Sequence, residues 1–115
     1  VKLRSSESRL NGEIYIPASK SHTIRAVAIA AVAQGVSVLK NPLMSDDARS
    51  AVSGVREMGA SVELGTEWLI RGIGGMPGSS CRHIEVGNSG TSLRILTGLC
   101  ALGNHPVTFD GDKSI

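Results

Sequence analysis

Residues 85–94, Glu85-Val86-Gly87-Asn88-Ser89-Gly90-Thr91-Ser92-Leu93-Arg94, place a glycine-flanked polar turn between a strand pattern and a helix pattern. Ahead of the turn, His83-Ile84-Glu85-Val86 alternates with the period of two that a half-buried strand requires, and after it residues 93–102 are apolar enough for a buried helix. A strand that turns directly into a helix is the building step of α/β and α+β architectures. Gly87 and Gly90 tolerate positive φ and let a ligand approach the main chain. The first N–H groups of a helix have no intrahelical acceptor and carry the positive end of its dipole, so such a turn suits a phosphate or a carboxylate. The same residues also suit a plain connection in which Asn88 or Ser89 serves as N-cap.

A second segment has the same design: Pro17-Ala18-Ser19-Lys20-Ser21-His22-Thr23-Ile24-Arg25-Ala26 also enters a helix. At about 3.6 residues per turn, Ser21 and Arg25 fall on one face, with Lys20 beside them at the helix mouth. An ammonium, a hydroxyl and a guanidinium fork in that arrangement can cradle an oxyanion. Taken alone, Lys20 and Arg25 are equally at home as solvated surface charges.

Along the chain, the pattern predicts a strand over residues 10–16 and a first helix capped by Ser19 or Ser21. Ile24, Val27, Ala28, Ala31 and Val32 follow helical spacing, and Gly35 is placed to end that helix. Residues 36–39 alternate as a strand that Asn41-Pro42 closes. Ser45 predicts the cap of a second helix, with Asp46 and Asp47 in the first turn, a buried stripe of Ala48, Ala51, Val52, Val55 and Met58, and Gly59 at its end. Two acids after a serine are ordinary capping chemistry. Residues 61–64 and 68–71 make a hairpin around Gly65-Thr66-Glu67, and residues 72–80 are the most loop-like stretch. A strand at 83–86, a helix at 91–102 and a strand at 106–110 complete an α/β (α+β) alternation within a single small domain, with no linker.

A net charge of +2 carried by scattered basic residues leaves no nucleic-acid footprint, and one Trp, one Tyr and one Phe make no base-stacking platform. With so few aromatic residues, Ala, Val, Ile and Leu must fill the core. Cys81 and Cys100 form neither a disulfide framework nor a Cys/His ligand spacing, so no metal is expected. The most apolar helix pattern, residues 24–33, is about half the length a bilayer needs, and no signal-peptide pattern precedes it. The expectation is a soluble, cytoplasmic protein without a membrane partner.

Taken together, several of these motifs, in this order, resemble the enolpyruvyl transferase family. The resemblance runs from Gly12-Glu13-Ile14-Tyr15-Ile16 and Ser19-Lys20-Ser21…Arg25, through Asn41-Pro42-Leu43-Met44-Ser45-Asp46-Asp47-Ala48-Arg49, to Gly87-Asn88-Ser89-Gly90-Thr91…Arg94 and Asp110-Gly111-Asp112. It implies a βαβαββ unit of an inverted, barrel-like α/β fold, with helices inside and sheets outside. It also implies that residues 1–115 are one partial domain, the N-terminal portion of an enzyme several times longer.

The branch of the family it most resembles joins phosphoenolpyruvate to the 5-hydroxyl of shikimate 3-phosphate in aromatic amino acid biosynthesis. Phosphate is released, and neither a metal nor an organic cofactor takes part. Carried over by position, Lys20 resembles the lysine that contacts both substrates, and Ser21 and Arg25 resemble residues that hold shikimate 3-phosphate. Gly90 resembles the glycine whose N–H meets phosphoenolpyruvate, while Asn88 and Asp47 resemble polar residues near the reacting atoms. Thr91 and Arg94 resemble residues that shape the turn and helix. Ile95 stands where many members have proline, and the family's next anion-binding arginine would lie beyond Ile115. The resemblance therefore implies about half a site, completed by the remainder of the enzyme and inactive without it. Three alternatives stand beside this reading: a UDP-N-acetylglucosamine enolpyruvyl transferase, a non-catalytic phosphate-ligand-binding domain, and an RNA 3′-terminal phosphate cyclase built from related units. The first has asparagine in place of Ser21 and a reactive loop cysteine that neither Cys81 nor Cys100 matches. The absence of a basic stripe speaks against the last.

Overall fold

Each helix of the chain begins where a serine oxygen replaces an acceptor that the helix itself cannot supply. In the computed structural model, which describes residues 1–78 and 80–115, Ser19 caps α1 (Lys20–Val32), Ser45 caps α2 (Asp46–Glu57) and Ser89 caps α3 (Gly90–Cys100). The strands are β1 (Val36–Lys40), β2 (Ser61–Glu63), β3 (Glu67–Arg71), β4 (His83–Glu85) and β5 (Thr108–Asp110). The end of α2 is equally local in origin. Ala60 N–H donates to Val55 O and Gly59 N–H to Arg56 O, with Gly59 at φ 106°, the paired bonds of a left-handed C-terminal cap.

β1, β3 and β2 form an antiparallel sheet in that spatial order, and β4 and β5 form a separate parallel pair bridged by α3. In the sheet's register Leu39 faces Trp68, and Ser37 and Val62 both face Ile70. One face therefore turns Trp68, Ile70 and Val62 into the core, while Val36, Val38 and Leu69 remain on the outer face. The helices pack on the inner face, and the stripe expected for α2, Ala48, Ala51, Val52, Val55 and Met58, is buried throughout. Ile84 and Val86 beside α2, and Leu96 from α3, complete the same core.

Gly54 decides how closely α2 and α3 approach. A Cβ built there would overlap Leu96 and come within 3.1 Å of Ile84 Cγ2, so only a glycine lets the two helices lie at this distance.

Residues 10–16 depart from the expected strand. They follow an irregular path, and Ile14 and Ile16 remain 81% and 73% exposed. Alternation specifies a strand only where a neighbouring strand offers its edge, and among the described residues none pairs with this segment. The last strand is shorter than expected for a similar reason, since pairing with β4 begins only at Thr108. The expected loop at residues 72–80 includes Ser79, which lies outside the described residues; the others have neither helix nor strand.

Candidate functional site

The first turns of the helices hold Lys20, Asp47 and Gly90 at closely related positions: Lys20 and Gly90 are the first residues of α1 and α3, and Asp47 is the second of α2. Three serine caps set these positions, with Ser19, Ser45 and Ser89 oxygens accepting from His22, Ala48 and Ser92 N–H at 3.3, 3.2 and 3.3 Å.

Lys20 Nζ donates to Asp47 Oδ2 at 2.8 Å, across 27 residues of sequence. A cation at a helix N-terminus opposes the helix dipole, so Lys20 is not placed there to stabilise α1. Asp47 supplies the compensating charge. The Lys20 ammonium, and after it the Ser89 hydroxyl, hold the Asp47 carboxyl below the usual aspartate range, against a smaller opposing effect of burial. About half of the Lys20 side chain stays open to solvent. An ammonium has three protons, so one bond to Asp47 leaves donors for an arriving anion.

The mouth of α3 is tied to the same carboxylate's residue. Ser92 Oγ donates to the Asp47 main-chain oxygen at 3.2 Å, and Ser89 Oγ donates to Ser92 Oγ at 2.8 Å. The structure thus links Lys20, Asp47 and the turn that carries Gly90. Beside Gly90 a Cβ would meet nothing within 4 Å, so the backbone is open to a ligand there. Its N–H, however, donates to Asn88 O at 3.1 Å. Among the described residues the Thr91 amide has no acceptor, which makes it the more available donor in this conformation. Asn88 is exposed at the tip of the turn.

Ser21 and Arg25 lie one turn apart as expected, and both are exposed. Arg25 Nη1 donates back to Ser21 O at 3.1 Å, so the guanidinium is folded along its own helix rather than joined to the Lys20–Asp47 pair. Its other face borders an apolar groove lined by Ala28, Ile29, Val32, Ile95 and Leu99.

Lys20, Asp47 and Gly90 line none of the four best-formed clefts among the described residues. A cleft of about 280 Å³ lies on the other flank of α1, between Ser19, His22, Thr23, Leu39 and Lys40. Linked through Asp47, the three helix mouths form an open shelf instead, with the Lys20 and Asp47 side chains 49% and 22% exposed, too open to exclude water. Among the described residues, no group of three or more His, Cys, Asp or Glu side chains could hold a metal, and no helix is long and apolar enough to cross a membrane.

Ser89 and Ser92 are the participants that sequence reasoning did not single out for the site. The serine pair at a cap-to-third-residue spacing was the available signal, and it was legible only as capping.

The family model described as EPSP synthase (3-phosphoshikimate 1-carboxyvinyltransferase) matches residues 5–115. Similar curated proteins include the 3-phosphoshikimate 1-carboxyvinyltransferase of Acetivibrio thermocellus, 44% identical over 98% of this chain and 27% of that protein. The protein of the same name from Methanococcoides burtonii is 40% identical over 100% of this chain and 27% of its own length. Among solved structures, EPSP synthase from Acinetobacter baumannii superposes with a TM-score of 0.78 at 30% identity, covering 90% of this chain and 24% of that one. The chain thus spans about a quarter of the length of the relatives it matches.

Proposed function

This chain belongs to the EPSP synthase (3-phosphoshikimate 1-carboxyvinyltransferase) family, and from that membership we propose that it supplies one wall of an enzyme's active site. The enzyme transfers the enolpyruvyl group of phosphoenolpyruvate to the 5-hydroxyl of shikimate 3-phosphate. The hydroxyl oxygen bonds to C2 of phosphoenolpyruvate as C3 takes a proton. The tetrahedral intermediate then loses phosphate from C2 and a proton from C3, so the enol ether and inorganic phosphate are the products. The step belongs to aromatic amino acid biosynthesis.

The observation that carries this reading is the Lys20–Asp47 pair at 2.8 Å, tied through the Asp47 main-chain oxygen to the mouth of α3. Two polyanionic substrates need fixed cations and amide donors more than they need a covalent partner. In the proposed complex Lys20 faces both anions, and amides of the first turn of α3 from Gly90 receive phosphoenolpyruvate. Ser21 and Arg25 hold shikimate 3-phosphate once the guanidinium leaves its own helix. Asp47 and Asn88 orient the reacting hydroxyl and the intermediate. The residues that protonate C3 and close the shelf against water lie in the remainder of the enzyme, and residues 1–115 form one partial domain of it. The compartment proposed is the cytoplasm, in keeping with two buried, unpaired cysteines.

The test uses the full-length protein that carries this chain, mixed with both substrates, with inorganic phosphate measured over time. Wild-type protein is expected to release phosphate only when both are present. Lys20→Met is expected to abolish release while the circular dichroism spectrum is unchanged, because an exposed cation is lost without a core cavity. Turnover of the Lys20→Met protein near the wild-type rate removes Lys20 from the site.

A further inference from the structure

The Ser92 hydroxyl has no role in building its own helix. Capping of α3 needs the Ser89 oxygen and the Ser92 N–H, which meet at 3.3 Å, and an alanine at position 92 would supply that N–H equally well. Alanine would also be the better helix former by about 0.5 kcal/mol. Yet Ser92 is wholly buried and Ser89 is 1% exposed, and a hydroxyl is costly to desolvate unless it is bonded. The Ser92 hydroxyl spends its proton on another helix, donating to the Asp47 main-chain oxygen across 45 residues of sequence.

Ser89 extends the same chain of bonds. Its single proton goes to Ser92 Oγ at 2.8 Å. The two hydroxyls therefore form one relay, from Ser89 to Ser92 to the main-chain oxygen of Asp47, the residue whose side chain holds Lys20. Among the described residues no buried side-chain nitrogen or oxygen is left without a partner, and these bonds are how the two serine hydroxyls meet that requirement.

We propose that Ser92 and Ser89 are positioning residues, which lock the first turn of α2 to the first turn of α3 and so fix Asp47, and through it Lys20, at the mouth where Gly90 lies. The inference rests on the activity proposed above. Without the lock, α2 and α3 still pack through Gly54, Leu96 and Ile84, but the ammonium loses its fixed distance from the amides of α3. A displaced cation binds each anion in the ground state nearly as well and serves the transition state less well.

The experiment is a mutant cycle in the full-length protein, with Ser92→Ala, Ser89→Ala and the double variant assayed for phosphate release from phosphoenolpyruvate and shikimate 3-phosphate. Ser92→Ala is expected to lower kcat about tenfold while KM for both substrates stays within about twofold, the pattern of an interaction that matters mainly in the transition state. The double variant is expected to be no slower than about the slower single variant, because both hydroxyls act through one chain of bonds to Asp47. A merely structural pair would lower the melting temperature and leave kcat per folded molecule intact, and that result overturns the proposal. Multiplicative losses in the double variant overturn it too, since they show two independent effects. If wild-type protein releases no phosphate, the activity reading fails and takes this inference with it. Active wild-type protein with an unimpaired Ser92→Ala variant removes this inference alone.

Discussion

Replacing Gly54 tests the packing that brings two of the helix mouths together. A Cβ at this position would overlap Leu96 and stand 3.1 Å from Ile84 Cγ2, and both side chains are at most 1% exposed. Neither can swing into solvent, so the added atoms must push α3 and β4 away from α2. Overpacking of this kind costs about 1–3 kcal/mol. Alanine recovers up to about 1 kcal/mol over glycine through helix propensity, which leaves Gly54→Ala destabilised by about 1 kcal/mol. Gly54→Val adds two more methyl groups and gains less from propensity, so its expected loss is about 3 kcal/mol. Gly98 supplies the control from inside α3, because a Cβ there meets nothing within 4 Å. Gly98→Ala should therefore stabilise by about 0.5–1 kcal/mol, the propensity gain with no steric opposition. The assay is urea unfolding followed by circular dichroism, with the three variants compared in one host protein. Gly54→Val with a midpoint equal to wild type would falsify the claim that helix separation here is set by the missing side chain.

Two further outcomes follow from charge and burial. The Asp47 carboxyl is held below the ordinary aspartate value by Lys20 and then Ser89, so its contribution to stability is fully present above about pH 4 and is lost as pH falls through the lowered value. Carboxyl-carbon NMR should show Asp47 unchanged between about pH 7 and 5, and Lys20→Met should raise its midpoint toward the ordinary value; a midpoint that does not move in that variant refutes the pairing. Burial pushes the Cys100 thiol up to about 11 and raises that of its neighbour Cys81. Both should react with a thiol reagent far more slowly in native protein at neutral pH than after denaturation, and equal rates would show that neither is buried.

Much of the molecule was legible because its causes are local. A serine before a helical stripe, with glycine after it, names a cap and an end within four residues, and so α1 and α2 begin at Ser19 and Ser45 and stop ahead of Gly35 and Gly59. The hairpin of β2 and β3 was equally visible, since its strands adjoin in sequence. Residues 10–16 show the limit of the same reasoning. Their alternation is that of a strand, but a ladder needs a partner, and none is present among the described residues.

The sequence by itself determined the parts: where each helix opens, that Lys20, Asp47 and Gly90 stand in first turns, and which family the chain resembles. These properties are written in contacts three or four residues apart, or in motifs read directly from residue order. The tertiary structure alone decided that the parts meet. Lys20 finds Asp47 across 27 residues and Ser92 finds Asp47 across 45, at separations where residue spacing carries no distance information. Those meetings depend on how closely α2 can approach α3, which rests on an absent side chain at position 54 and on the buried Ser92 hydroxyl, whose bond to Asp47 forms only when the helices are packed.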